Sequence, residues 1–260
     1  MSIDQRHFEG LLSAVADIAI EAGAAIMTIY ETEFAVAAKA DHSPVTEADE
    51  LAERMIISGL ENLTPDTTIV AEEKMASGDA PDIATGEFWL VDPLDGTREF
   101  VSRNGEFTVN IALISGGSPI LGVVYIPVSQ RLYAGAISLG ATLAENGAPA
   151  GAIRVRQAPD HGLLVVASRS HLNDETQAFI ADLDVDGFKH AGSSLKFCLV
   201  AQGEADIYPR LGRTMEWDTG AGHAVLAAAG GSVSTLDGAP LSYGKPGFEN
   251  PHFVARGLAS

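Results

Sequence analysis

A chain of 260 residues, 46% of them hydrophobic and 27 of them glycine, can bury one large or two modest cores and suits a turn-rich α/β protein. Its formal charge of −19 argues against nucleic-acid polymers as partners, which need a basic face; its single cysteine excludes an internal disulfide and makes the cytoplasm the expected compartment. No apolar run is expected to reach the ~20 residues that span a bilayer, and no basic-then-apolar leader is read at the start.

In chain order, Phe8, Leu11, Leu12, Val15, Ile18, Ala22, Ile26 and Ile29 recur at three- and four-residue steps and predict an amphipathic helix over 4–31. A polar turn at 39–44 precedes a second helix opened by Val45-Thr46-Glu47-Ala48-Asp49, with Leu51, Met55, Ile56 and Leu60 on its inner face. Thr46-x-x-Asp49 is an acidic variant of the capping box, so Asp49 also has a purely structural reading. A strand over Thr68–Ala71 ends in Glu72-Glu73, and 74–86 read as a polar loop.

The apolar run 88–91 is a buried strand expected to stop at Asp92-Pro93. Asp92-Pro93-Leu94-Asp95-Gly96-Thr97 then sets two carboxylates around a proline-fixed turn, and Gly96-Thr97 opens a short helix. Carboxylates leaving a strand edge are hard oxygen ligands for a divalent cation, and free N–H groups at a helix start suit a phosphate. Their meeting is the geometry of metal-assisted phosphate ester hydrolysis. A plain turn with an N-cap stays open on this hexapeptide alone. An EF-hand does not, because the third, sixth and twelfth positions from Asp92 hold Leu94, Thr97 and Arg103. Two strands ending in acid, at Glu72 and Asp92, would make a carboxylate cluster that needs a cation to stay ionised.

Strands at 108–114, 120–126 and 132–137, with turn signals between them and at Asn146-Gly147, read as an antiparallel meander. A boundary near 150–160 divides the chain into halves 1–155 and 156–260 of one catalytic unit. Beyond it strands at 163–167, 188–191 and 205–208 alternate with helices. One helix is capped by Asn173, one is opened by Gly192-Ser193-Ser194, and one is Ala-rich and opened by Asp218. Asp218 reads first as an N-cap, and Lys196 as either a solvated side chain or an anion contact near a helix start. Arg169, Arg210 and Arg213 sit near strand ends, where a pocket role and a surface role are equally open. Cys198 reads as core filler and His223 as core or surface.

Read together, Asp49 with its V-T-E-A-D context, Glu72-Glu73, the 92–97 motif and Trp217-Asp218-Thr219-Gly220 resemble the lithium-sensitive, magnesium-dependent phosphatase family typified by inositol monophosphatase. Within it the chain is most similar to the 3′(2′),5′-bisphosphate nucleotidase branch, on residues 104–114, 165–171, 192–201 and 208–210. Inositol-directed members usually lack a lysine at the position of Lys196.

The resemblance implies an α/β protein of the α+β type, a five-layered α-β-α-β-α sandwich with its active site between the halves. It implies that Glu72, Asp92, Asp95, Asp218 and the Leu94 carbonyl hold two or three magnesium ions, with inhibition by lithium. Asp49, Glu72 and Thr97 would be catalytic, Thr97 bonding Asp49 and orienting water with Glu72. Gly96 and Thr97 would hold the phosphate; Ser168, His171, Ser193, Lys196 and Arg210 would form the nucleotide side, with Glu72, Asp95 and Asp218 also touching substrate. The implied reaction takes 3′-phosphoadenosine 5′-phosphate, or its phosphosulfate counterpart, to the 5′-phosphate product and inorganic phosphate, within sulfur assimilation. Rival substrates are inositol 1-phosphate, fructose 1,6-bisphosphate and histidinol phosphate. A non-catalytic binding module would lack a ligand or Thr97, and none is lacking. The family also implies a homodimer. Peripheral attachment to the cytoplasmic face of the inner membrane would call for a basic amphipathic helix, which the sequence does not offer.

Overall fold

The apolar stripe of the first helix, α1 (Ile3–Tyr30), buries Leu11, Val15, Ala19, Ala22 and Ile26 at steps of three and four, so one face of it lies against a sheet. The computed structural model describes residues 3–38, 44–78, 80–84, 86–168 and 173–258. A short ribbon, β1 (Ala37–Ala38) and β2 (Pro44–Val45), leads to α2 (Glu47–Leu63). Thr46 caps α2: Oγ1 accepts from Ala48 N–H at 3.2 Å, and Asp49 Oδ2 accepts from Thr46 N–H at 2.8 Å.

The next stretch holds β3 (Thr68–Ala71), a helical turn α3 (Glu72–Ala76), β4 (Glu87–Asp95) and a second turn α4 (Thr97–Val101). A meander follows: β5 (Thr108–Ser115), β6 (Ser118–Ile126), β7 (Arg131–Ala136), β8 (Gly140–Glu145) and β9 (Gly151–Ile153). These strands make one sheet in the order β3-β4-β5-β6-β7-β8-β9, parallel at β3–β4 and antiparallel elsewhere.

The remainder runs β10 (Leu163–Ser168), α5 (Asp174–Ala181), β11 (Val185–Ala191), α6 (Leu195–Ala201), β12 (Ile207–Arg210), α7 (Glu216–Ala228), β13 (Ser232–Thr235) and, after a 3₁₀ turn at Pro246–Phe248, β14 (Phe253–Arg256). The second sheet is ordered β11-β10-β12-β14-β13. Three apolar cores give the layering. The first joins α1 and α2 to one face of the seven-stranded sheet. The second joins that sheet's other face to α6, α7 and the five-stranded sheet, and a small third core sets α5 on the far side. The fold is thus the five-layered sandwich expected. Gly222 lets α6 and α7 meet, since a Cβ there would lie 2.6 Å from the Phe197 ring.

Several elements depart from the sequence reading. β4 does not stop at Asp92 but continues to Asp95 through an irregularity. The 74–86 loop begins inside α3. α7 starts at Glu216, so Asp218 is its third residue rather than its cap. β13 and β14, four residues each, carry too few alternations to announce themselves. Residues Phe8–Tyr30 of α1 are, by length and composition, apolar enough to cross a bilayer, although no such run was expected. The reading was misled by Glu9, Asp17 and Glu21, which interrupt the run on the outer face. The inner face is packed on the sheet.

Candidate active site

The site begins as a register error in a ladder. β4 and β5 pass from Asp92 opposite Asn110 to Asp95 opposite Thr108, which puts one extra residue on β4. Pro93 has no N–H to give the ladder, and Leu94 N–H turns back to Asp92 Oδ1 at 3.0 Å. Gly96 follows at φ +94°, where a Cβ would also meet Glu99 Oε2 at 3.2 Å, so glycine is required to open α4. This kinked passage aims Asp92, Leu94, Asp95, Gly96 and Thr97 into a cavity of about 570 Å³.

The cavity gathers the other expected residues from separate elements: Glu72 from the start of α3, Ser168 from the end of β10, Ser193 and Lys196 from the start of α6, Arg210 from β12 and Asp218 from α7. Asp49 lies one shell behind, 1% exposed, accepting from Thr97 Oγ1 at 3.2 Å on Oδ1 and from Thr46 Oγ1 at 2.7 Å on Oδ2. Its capping role and its hold on Thr97 therefore coexist. His171 and Arg169 lie outside the described residues.

The acids raise each other's electrostatic cost. Burial, then the charges of Glu72, Asp95 and Asp218, hold the Asp92 carboxyl well above the usual range. Burial, then Asp95 and Glu72, push Asp218 up to about 8. Asp95 is pushed to about 6 because burial outweighs the attraction of Lys196. Asp95 and Asp218 keep some surface on the cavity, but protein atoms crowd their other sides, so loss of water dominates. Lys196, 5% exposed, is pulled down to about 8 by burial against the pull of Asp95, with Arg210 adding to the shift. Its Nζ donates to Ser193 O and lies 5.4 Å from the Tyr208 ring centroid.

An all-carboxylate and carbonyl donor set suits a hard cation. Among the described residues no three His, Cys, Asp or Glu side chains close on one point. Each of the three aspartates instead commits one oxygen inward: Asp92 Oδ1 to Leu94 N–H, Asp95 Oδ2 to Ser194 N–H at 2.6 Å, and Asp218 Oδ2 to Met215 N–H at 2.8 Å. Magnesium takes one or two carboxylates and completes its shell with water and substrate phosphate, so spaced acids that share a cavity fit it.

Some residues that shape the site went unread in the sequence. Glu53, 5% exposed, accepts from Glu73 N–H at 2.7 Å and Lys74 N–H at 3.0 Å, and so fixes α3 just beyond Glu72. Its signal was available, as an acid four residues after Asp49 on the inner helix face. Glu216, fully buried, accepts from Gly244 N–H at 2.7 Å and Lys245 N–H at 2.9 Å and pairs with Lys245 Nζ at 2.6 Å, which seats the start of α7. Ser193 sits at φ +44° and donates its hydroxyl to Glu106 O at 2.8 Å. Arg210 gives Nη2 to Arg213 O at 3.1 Å, while its buried Nε has no hydrogen-bond partner among the described residues. Cys198 is buried, its thiol pushed up by burial. His223, pulled down to about 4 by burial, shares a 3.0 Å contact with Tyr243 Oη, so both are core residues.

A model of the Inositol monophosphatase family matches residues 9–258. The chain belongs to that family. It is 48% identical over 250 residues to the 3′(2′),5′-bisphosphate nucleotidase CysQ of Escherichia coli (strain K12), covering 94% of this chain and 98% of that one. Among solved structures, CysQ from Bacteroides thetaiotaomicron matches with a TM-score of 0.82 at 40% identity, covering 96% of this chain and 98% of that one. An inositol monophosphatase from Anabaena matches at 0.76 with 28% identity, covering 97% and 92%.

Family membership makes the acid cluster's titration testable. Without a cation, folded Asp95 and Asp218 hold protons that the unfolded chain releases near pH 4, up to about 6 and about 8 respectively. The folded state binds more protons across that window, so stability falls as pH rises through it, and the whole penalty stands above about pH 8. A dication held by these acids would remove the penalty. The Tm gap between magnesium-loaded and EDTA-treated protein should therefore be wider at pH 8.5 than at pH 5.5, by roughly several degrees. Equal gaps would place the cation away from these acids.

Proposed function

We infer that this chain is a metal-dependent phosphatase that removes the 3′-phosphate of 3′-phosphoadenosine 5′-phosphate, releasing adenosine 5′-phosphate and inorganic phosphate. The observation that carries this reading is one cavity lined both by Glu72, Asp92, Asp95 and Asp218 and by Lys196 and Arg210. Acids charged with dications suit the phosphate being cleaved. A point-charge lysine and a fork-shaped arginine suit a second phosphate that stays. Inositol 1-phosphate has no such second group.

The reading assigns magnesium to Glu72, Asp92, Asp95, Asp218 and the Leu94 carbonyl, whose four side-chain charges match two dications, with lithium as an inhibitor. The chemistry magnesium supplies when bound is Lewis-acid stabilisation of the phosphoryl and departing 3′ oxygens and a lowered pKa for water. Thr97 Oγ1 has one proton and two acceptors for it, Asp49 Oδ1 at 3.2 Å and Leu94 O at 3.4 Å. Its lone pairs are thereby left for a proton of the attacking water, and Glu72 takes the other. Gly96 and Thr97 N–H groups hold the phosphoryl oxygens in line with that water. Ser168, Ser193, Lys196 and Arg210 hold the nucleotide.

Phosphate release from 3′-phosphoadenosine 5′-phosphate, with and without magnesium and beside inositol 1-phosphate at equal concentration, tests the proposal. Magnesium-dependent release with a preference of about 10-fold or more for the nucleotide is expected, a factor worth roughly 1.4 kcal/mol. Preference for inositol 1-phosphate would keep the acid cluster and discard the roles of Lys196 and Arg210.

A further inference from the structure

Asn110 sits on β5 opposite Asp92 and is 1% exposed. Its carboxamide bridges the two sheets' halves of the chain. Oδ1 accepts from Ser194 Oγ at 2.6 Å, and Nδ2 donates to Thr108 Oγ1 at 3.3 Å and, over a long 3.4 Å, to Asp95 Oδ2. Thr108 Oγ1 lies 2.9 Å from Ser194 Oγ, which closes a ring of three hydrogen bonds when Thr108 donates. Ser194 and Thr108 are themselves 1% and 0% exposed, so each member depends on the others for partners. The Ser194 N–H donates to the same Asp95 Oδ2 at 2.6 Å. Two donors thus converge on one oxygen of Asp95 and leave Oδ1 for the cavity.

We propose that Asn110 is a positioning residue: it fixes Asp95 with Oδ1 presented to the cation and ties that carboxylate to the start of α6, two residues before Lys196. The inference rests on the proposed metal and nucleotide reading of the cavity. Without the amide, Ser194 Oγ and Asp95 each lose a buried partner: Asp95 Oδ2 is left with the Ser194 N–H alone, and Ser194 Oγ is left with Thr108 as its one contact to β5 in the ring. Groups behind a metal ligand typically carry about 10- to 100-fold in metal affinity.

The test titrates magnesium against Tm in the full chain without substrate, then measures KM and kcat for 3′-phosphoadenosine 5′-phosphate at saturating magnesium. Asn110→Ala should raise the magnesium midpoint about 10-fold and KM several-fold, with a smaller change in kcat. Ser194→Ala keeps both donors on Asp95, the N–H and the Asn110 amide, and loses only the hydroxyl that orients that amide, so it should raise the midpoint about 3-fold, below that range. The double variant should match Asn110→Ala rather than the product of the two, because the ring acts as a unit. A folded Asn110→Ala with the parent's midpoint and KM overturns the proposal, as does a multiplicative double variant. Should Asn110→Ala not fold, an unchanged midpoint in Ser194→Ala overturns it. A parent that shows no magnesium response overturns the metal reading as well, whereas a responsive parent with unaffected variants overturns the role of Asn110 alone.

Discussion

Asp92→Asn should lower kcat by about three orders of magnitude, the scale on which loss of preorganised charge stabilisation acts, while raising the Tm of the metal-free protein. The two effects have one cause. Asp92 is 1% exposed, and burial together with Glu72, Asp95 and Asp218 disfavours its charge. An asparagine keeps the shape and the oxygen that accepts from Leu94 N–H at 3.0 Å, and removes only the charge. Replacing a disfavoured buried charge by a neutral group of like volume stabilises the metal-free fold, and each kcal/mol gained is worth roughly 2–4 °C in a chain of this size. The magnesium-induced rise in Tm should shrink in the same variant, since a ligand is gone. A substitution that merely damaged packing would lower activity and Tm together, so a fall in metal-free Tm would count against the electrostatic account. Thermal melts in EDTA and in magnesium, beside phosphate release, read all three quantities.

That opposition of activity and stability also explains what was legible in the sequence. The acids announce themselves because local patterning argues for a turn or a cap while chemistry argues for a cation; Asp49 and Asp218 each accept from the N-cap N–H of their helix, while Asp49 also holds Thr97 and Asp218 also lines the cavity. The first helix and the meander were legible because their periods are long enough to register, whereas the layering followed from the family resemblance. The bulge at Pro93 was not legible, because a strand that continues past an extra residue leaves the same residues in the same order as a strand that ends. The partners of Glu53, Asn110, Ser194 and Glu216 were not legible for a different reason. They stand 20, 84 to 86 and 28 residues away, on other elements, and no spacing along the chain encodes such a pairing. The same applies to Lys196, whose burial among Asp95, Tyr208 and Ser193 sets aside the solvated reading left open at first and leaves the anion contact as the proposal.

Lys196 should accordingly control which substrate the site prefers. Lys196→Met keeps the apolar stem against Tyr208 and deletes the ammonium, so the fold is retained while one charge-assisted contact is lost. Such contacts are worth about 1.5–3 kcal/mol, hence a fall of about 10- to 100-fold in kcat/KM for 3′-phosphoadenosine 5′-phosphate. Adenosine 3′-phosphate, which lacks the 5′ group, and inositol 1-phosphate should change little by comparison. The parent protein offers a second reading of the same contact. Burial pulls the Lys196 ammonium down to about 8, so its charged form declines as pH rises through that value. KM for the bisphosphate should then climb above about pH 8, while KM for adenosine 3′-phosphate stays flat and Lys196→Met abolishes the climb. A phosphate bound to the ammonium favours its charged form, so the charge is held to higher pH in the substrate complex than in the free protein. Equal losses on all three substrates, or a KM for the bisphosphate that ignores pH, would remove Lys196 from the second phosphate and leave Arg210 as its remaining cation in the proposed reading.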